Sequence, residues 1–127
     1  MIDVNAGTAL WLTRAVAPYM RERGSGAIVH VAARQGLEPT AGMATYGVSK
    51  AALVHLTRVL DLELRPLGIR VNAVAPQVID TDKNRPYLPP EVLAHAVSPE
   101  AIAEVIVSLV SDAASPVSGA VVPAYGP

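Results

Sequence analysis

Residues 44–76 read ATYGVSKAALVHLTRVLDLELRPLGIRVNAVAP, and this stretch predicts a long helix followed by a buried strand. In its first part, apolar residues recur around much of a helical circumference, which indicates burial on more than one side. Pro66 and Gly68 predict that the helix ends near Leu64, because neither residue continues a helix well. The run from residue 69 to residue 74 then predicts a strand.

Helices and strands alternate along the rest of the chain. Residues 2–23 predict a helix, and residues 27–31 predict a short buried strand. Residues 76–90 predict a long loop, Ser98 is expected to cap a last helix, and residues 119–123 predict a third strand. This order predicts an α/β fold with a parallel sheet of three strands flanked by helices, like half of a doubly wound domain.

Single residues add smaller expectations. Pro18 predicts a kink or a tightened turn near residues 14–18, because proline removes a helical hydrogen bond. Trp11 and Tyr19 are expected to serve packing rather than substrate contact. The three histidines, His30, His55 and His95, are expected to be structural residues with satisfied hydrogen bonds.

Composition excludes several classes of protein. The 127 residues are 51% hydrophobic, which suits one domain over residues 1–127 and excludes a disordered tail. Their net charge of -1, with scattered Lys and Arg, argues against a nucleic-acid partner. Cysteine is absent and the histidines are far apart, so no metal site is predicted. Neither a signal peptide nor an uninterrupted apolar run of about 18 to 20 residues is present, so no membrane association and a soluble cytoplasmic location are expected.

Tyr46 and Lys50 form the one pair with chemical promise. They are four residues apart, so their side chains share one face of the predicted helix. An ammonium favours a phenolate, and Lys50 is therefore expected to lower the pKa of Tyr46 below its ordinary value of about 10. Many helices contain Tyr-x-x-x-Lys by chance, so the pair alone leaves a catalytic and a structural interpretation open.

Five segments carry a resemblance to a known family. They are Val4-Asn5, residues 24–29 (GSGAIV), residues 46–52 (YGVSKAA), residues 68–76 (GIRVNAVAP) and residues 109–119 (LVSDAASPVSG). In this order they resemble the C-terminal half of a short-chain dehydrogenase/reductase. The resemblance implies that the three strands and their helices are the C-terminal half of a doubly wound, Rossmann-type sheet. The resemblance implies that the N-terminal dinucleotide-binding half, with its Gly-rich phosphate turn, is absent from these residues.

The resemblance implies a catalytic role for three residues. Tyr46 would exchange a proton with the substrate while a hydride moves to or from the nicotinamide. Lys50 would lower the pKa of Tyr46 and hydrogen-bond the nicotinamide ribose. Asn5 would position a water that links Lys50 to solvent, although an Asn there could also cap the helix.

The resemblance also implies a cofactor, which is NAD or NADP. The family's Pro-Gly-x-x-x-Thr segment reads here as residues 76–81 (PQVIDT), so Pro76, the backbone of Ile79 and the hydroxyl of Thr81 would hold the nicotinamide end. The alternative is that Thr81 caps a short turn and that the side chains of Asp80 and Arg85 form an ordinary surface ion pair.

The chain departs from the family pattern at several positions. Ala33 lies thirteen residues before Tyr46, where the family has its active-site Ser. Gln77 replaces a Gly, and Tyr125 with Pro127 replaces an Asp-Gly-Gly ending. Without the Ser hydroxyl, ordinary ketone or alcohol chemistry becomes doubtful.

Two segments resemble one branch more narrowly. Residues 32–46 and residues 79–85 are similar to the dihydropteridine reductase branch, which also has Ala in place of Ser. Its substrates are readily reduced quinonoid rings, which need less carbonyl polarisation. The missing hydroxyl is therefore compatible with an active enzyme.

Two functions stay open. The first is a nicotinamide-dependent oxidoreductase of a small-molecule substrate, whose upstream half is expected to be missing because the sequence starts at an internal Met. The second is a non-catalytic fragment that acts as an assembly partner.

In the family, the helices that correspond to residues 2–23 and 44–64 build a four-helix interface, which implies a homo-oligomer. The strand at residues 27–31 would then be an exposed edge.

Overall fold

Three parallel strands form one sheet in the computed structural model, which describes residues 1–127. The strands are β1 (Gly26–Val31), β2 (Ile69–Pro76) and β3 (Val121–Ala124), in the spatial order β1-β2-β3. The β1 residue Val31 lies opposite Val74, and Pro76 lies opposite Ala124. This register brings the carboxyl ends of all three strands to one edge of the sheet.

Four α-helices surround the sheet. They are α1 (Thr8–Arg23), which follows a π-helical turn at Asp3–Gly7, α2 (Ala44–Leu64), the one-turn α3 (Pro90–Leu93) and α4 (Pro99–Val110). Alternate side chains of a strand point to opposite faces. Val71, Ala73 and Ala75 accordingly pack among residues of α2, whereas Arg70 donates to the carbonyl of Leu109 in α4 at 2.8 Å. Helices therefore cover both faces of β2.

The central strand holds the core. Five of its apolar side chains are fully buried, namely Ile69, Val71, Ala73, Val74 and Ala75. A parallel strand that is covered on both faces has a nearly continuous apolar sequence, which explains the run from residue 69 to residue 76. The predicted α/β fold with three parallel strands flanked by helices is confirmed.

A buried carboxylate joins α2 to the segment before β3. Asp61 is 4% exposed and accepts two hydrogen bonds from Arg65, at 3.2 and 2.6 Å. It also accepts a short hydrogen bond from Ser118, whose hydroxyl in turn accepts from the Val71 amide at 3.1 Å. A buried charge is tolerated when it is paired and hydrogen-bonded in this way.

The predicted helix ends are mostly confirmed, but α1 differs from the expectation. Ser98 caps α4 by accepting from the Ala101 amide at 3.2 Å, and Gly24 ends α1 in a left-handed conformation with φ 74°. Pro18 lies inside α1, which continues as an α-helix to Arg23, so the predicted tightened turn was wrong. The irregular turn lies instead at Asp3–Gly7, where the backbone is π-helical.

Two aromatic side chains contradict the sequence prediction. Trp11 is 64% exposed and Tyr19 is 76% exposed, although both were expected to pack. Both lie on α1, where the buried residue is Thr13 and the aromatic side chains extend away from the sheet.

No helix of the structure has both the length and the apolar character that crossing a membrane requires.

His30 only partly matches its predicted structural role. Its side chain is buried, and its Nδ1 lies 2.9 Å from the hydroxyl of Thr57. That hydroxyl donates its hydrogen to the Leu53 carbonyl, so His30 Nδ1 is the donor of the first bond. The other ring nitrogen, Nε2, is buried without a partner. Burial lowers the pKa of His30 below its ordinary value, because a charged imidazole would lose its hydration.

Candidate active site

The edge formed by the carboxyl ends of the strands contains Tyr46 and Lys50. Tyr46 lies in the first turn of α2, and Lys50 follows one turn later on the same face. The Lys50 ammonium lies 5.8 Å from the centroid of the Tyr46 ring and donates to the carbonyl of Val31 at 3.1 Å. Val31 is the last residue of β1, so the cation is fixed between the end of a strand and a phenol.

Burial sets the ionisation of this pair. Both side chains are partly buried, which raises the pKa of Tyr46 and lowers the pKa of Lys50, because each charged form loses hydration. The prediction that Lys50 lowers the pKa of Tyr46 was wrong for the protein by itself. Desolvation of the phenolate sets the direction in which the pKa of Tyr46 shifts.

Asn5 is connected to the same helix. Its amide nitrogen donates to the Ser49 hydroxyl at 2.8 Å, and Ser49 donates to the Tyr46 carbonyl at 2.8 Å. Asn5 lies within the π-helical turn, so the alternative that it caps the helix was wrong. Single π-turns often occur at functional sites. This turn holds Asn5 against α2.

Ser49 also belongs to the site, although its role was not predicted from the sequence. It is fully buried and links Asn5 to the first turn of α2. A signal for it exists, because Ser49 is a small polar residue three positions after Tyr46, about one helical turn away. A polar group on a buried face needs a partner, and Asn5 is that partner.

Ala33 lies at the same edge, directly before a short 3₁₀ turn at Arg34–Gly36. Its methyl side chain is buried and offers no hydrogen bond. The turn rests on α2, because a Cβ added at Gly36 would lie 2.7 Å from the carbonyl carbon of Lys50. Gly36 thus allows the segment after β1 to approach the backbone of Lys50.

The predicted cofactor segment leaves the sheet at the end of β2. Pro76 is the last residue of β2, and the loop that follows, residues 77–89, is called here the β2–α3 loop. Ile79 forms an isolated parallel bridge with Val97. The Asp80 amide donates to the Val97 carbonyl at 2.8 Å, and the Val97 amide donates to the Val78 carbonyl at 3.0 Å. The start of the loop is therefore fixed to the segment before α4.

Thr81 and its neighbours behave as the alternative interpretation expected. The Thr81 hydroxyl accepts from the Asn84 amide at 3.1 Å and so caps a short turn. Arg85 donates to both carboxylate oxygens of Asp80, at 3.0 and 2.5 Å. The Thr81 hydroxyl keeps its own hydrogen for another acceptor, because it only accepts in this turn.

The family of the chain follows from comparison with known proteins. Residues 1–91 match the family model described as short chain dehydrogenase. The chain belongs to the short-chain dehydrogenase family. The predicted resemblance is confirmed at this level.

Individual relatives agree with this membership. The chain is 42% identical over 84 residues to human dehydrogenase/reductase SDR family member 4, covering 66% of this chain and 30% of that protein. It is 38% identical over 134 residues to galactitol 2-dehydrogenase from Rhizobium johnstonii, covering 96% and 52%. This short-chain dehydrogenase chain thus spans about a third to a half of the length of these relatives.

A solved structure supports the fold assignment. The chain superposes on a 7α-hydroxysteroid dehydrogenase in complex with NADH and 7-oxo glycochenodeoxycholic acid, with a TM-score of 0.88 and 34% identity. The match covers 96% of this chain and 51% of that structure. The three-stranded sheet and its helices are therefore of the Rossmann type found in this family.

A titration of Tyr46 tests the effect of burial on this site. We expect the phenol of Tyr46 to ionise above pH 10, because burial disfavours the phenolate. The measurement is the difference in tyrosinate absorbance between the parent chain and Tyr46→Phe as the pH is raised. Lys50→Met measures the contribution of the ammonium separately, and a midpoint clearly below 10 in the parent would contradict the expectation.

Proposed function

We propose that this chain supplies the proton-transfer pair and the nicotinamide-binding loop of an oxidoreductase. The enzyme would move a hydride between NAD or NADP and a small organic substrate. One observation carries the proposal: the Lys50 ammonium is held between the Tyr46 ring and the carbonyl that ends β1. Membership of the short-chain dehydrogenase family and the NADH bound by the 7α-hydroxysteroid dehydrogenase support the choice of cofactor.

Tyr46 would donate the proton in the direction of reduction. Its raised pKa keeps the phenol protonated at neutral pH, as a proton donor requires. The Lys50 ammonium has three N–H groups, of which one is used by Val31, so donors are left for a ribose hydroxyl. Asn5 uses its amide nitrogen on Ser49, which leaves its oxygen to hold the water of a proton relay.

Pro76, Ile79 and Thr81 would hold the nicotinamide end of the cofactor. Pro76 is buried where β2 ends, and the bridge of Ile79 to Val97 fixes the backbone that follows. The free hydrogen of the Thr81 hydroxyl suits an acceptor such as a carboxamide oxygen. When bound, the nicotinamide supplies or accepts the hydride.

The substrate class is proposed from the absence of a hydroxyl at Ala33. With a buried methyl group at that position, nothing there hydrogen-bonds a substrate carbonyl. A readily reduced quinonoid ring, as in the dihydropteridine reductase branch, needs less polarisation than a simple ketone. The sequences of residues 32–46 and 79–85 support this assignment.

The role of Tyr46 is tested by Tyr46→Phe in any catalytically active form of the protein. We expect turnover to fall by about a hundredfold to ten-thousandfold, because this is the usual contribution of general acid catalysis. Cofactor affinity should change far less, since the ring is kept. The measurement is the steady-state rate of NADH or NADPH oxidation with a quinonoid substrate.

Tyr19→Phe is the matched control for this experiment. It removes the same hydroxyl from a side chain that is 76% exposed on α1, so turnover should stay at the parent level. Undiminished turnover in Tyr46→Phe would refute the proposed mechanism.

An assembly role is the second candidate, and a specific observation favours it. Four large apolar side chains of α1 are more than two-fifths exposed, namely Leu10, Trp11, Leu12 and Tyr19. Apolar surface of this kind often marks a site of protein association. We propose that α1 and α2 pair with a second copy of the chain.

Self-association is tested by Trp11→Ser in analytical ultracentrifugation. A Trp that becomes buried when two chains associate is commonly an interface hot spot. Trp11→Ser should therefore weaken self-association by about tenfold or more. Tyr87→Ser is the control, because Tyr87 is 85% exposed and lies far along the chain from α1. Equal association constants for the parent and Trp11→Ser would exclude this interface.

A further inference from the structure

Arg34 contacts the segments that follow all three strands. Its Nε donates to a carboxylate oxygen of Glu38 at 2.7 Å, within the segment after β1. Its Nη1 donates to the side-chain oxygen of Gln77 at 3.0 Å, directly after β2. Its guanidinium carbon lies 4.7 Å from the centroid of the Tyr125 ring, directly after β3. We call these four residues the Arg34 cluster.

The chemistry of the cluster depends on an arginine. A guanidinium is planar, presents several N–H donors in a fixed fork and also stacks on aromatic faces. Arg34 uses these properties together, by donating to Glu38 and Gln77 while covering the Tyr125 ring. A lysine at position 34 would offer a point charge without this planar fork.

Two partners of Arg34 are departures from the family pattern. Gln77 stands where the pattern has Gly, and Tyr125 with Pro127 replaces its Asp-Gly-Gly ending. A glycine has no side-chain acceptor, and an aspartate has no ring to stack on. Both substituted side chains therefore contact the same guanidinium, and Arg34 directly follows Ala33, which is itself a departure.

The cluster connects the β2–α3 loop to the active-site helix. The turn that contains Arg34 rests on the backbone of Lys50 through Gly36. Gln77 is the first residue of the β2–α3 loop, and Ile79 and Thr81 follow within the same loop. The guanidinium thus joins the start of this loop to the segment that lies against Lys50.

The cluster also forms part of a pocket at the same edge of the sheet. Arg34, Gln77 and Tyr125 line a cavity of about 440 Å³ that Glu91 and His95 also line. Movement of the loop start away from Arg34 would change the shape of this cavity. The position of Gln77 therefore contributes to the shape of this cavity.

We propose that Arg34 is a positioning residue that fixes the start of the β2–α3 loop and the segment after β3 to the turn beside Lys50. Arg34 acts through Gln77 and Tyr125 and has no direct part in proton transfer. The proposal concerns the order of the loop in the chain itself, so it does not depend on hydride transfer.

Hydrogen exchange of the 127-residue chain tests this role. The hydrogen-bonded loop amides of Asp80, Asn84 and Arg85 are compared with the core amide of Ala73. In Arg34→Met, the loop amides should exchange faster, by up to about fivefold, because one exposed charge-assisted hydrogen bond to the loop is lost. The Ala73 amide should exchange at the parent rate.

Variants of Gln77 keep the test independent of the folding of Arg34→Met. Gln77→Gly should accelerate the same loop amides, whereas Gln77→Glu should leave them as slow as in the parent, because it keeps an acceptor for Arg34. In the double variant Arg34→Met with Gln77→Gly, the loop amides should exchange no faster than in either single variant. Both substitutions remove the same hydrogen bond between Arg34 and Gln77.

Arg14→Met is the matched control, because Arg14 also stacks on an aromatic ring, with its guanidinium 5.6 Å from the Trp11 centroid on α1. In Arg14→Met, the amides of the β2–α3 loop should exchange at the rate of the parent chain. The proposal is overturned if Arg34→Met leaves the loop amides unchanged or if Gln77→Glu exchanges as fast as Gln77→Gly. It is equally overturned if Arg14→Met accelerates the loop.

Discussion

The parallel register of the three strands is the constraint on which the site depends. Because β1, β2 and β3 run in one direction, the residues that follow each strand meet at one edge. Burial of β2 on both faces maintains this register, since a slip of one residue would turn the polar side chains of Arg70 and Asn72 towards α2. The Lys50 ammonium lies at this edge because it donates a hydrogen bond to the carbonyl of Val31, the last residue of β1.

The active-site pair shows a competition between two electrostatic effects. Proximity of Lys50 favours the phenolate of Tyr46, while partial burial disfavours the charged form of both groups. Burial has the larger effect in the protein by itself, so Tyr46 stays a phenol and retains the proton that a reduction needs. The bond from Lys50 to Val31 fixes the ammonium without using all of its donors.

Much of the fold could be predicted because its signals are local. The apolar run of β2, the N-cap at Ser98 and the positive φ of Gly24 each depend on a few neighbouring residues. The exposure of Trp11 could not be predicted in this way, because helical periodicity does not show which face of α1 meets the sheet. The sign of the pKa shift of Tyr46 was missed for the same reason, since burial depends on the tertiary structure.

The site itself was only partly predictable. The spacing of Tyr46 and Lys50 places them on one helical face, and that follows from the sequence. The contacts from Asn5 to Ser49 and from Arg34 to Gln77 join residues that lie more than forty positions apart. Such contacts depend on where the π-helical turn and the strand ends meet in space.

Binding of the nicotinamide end alone tests the central claim most directly. Reduced nicotinamide mononucleotide is titrated into the 127-residue chain and followed by NMR, with AMP as the matched nucleotide that lacks the nicotinamide. We expect the reduced mononucleotide to shift the resonances of Tyr46, Lys50 and Thr81, and AMP to leave them in place. Equal shifts with AMP, or shifts confined to residues away from the carboxyl edge of the sheet, would contradict it.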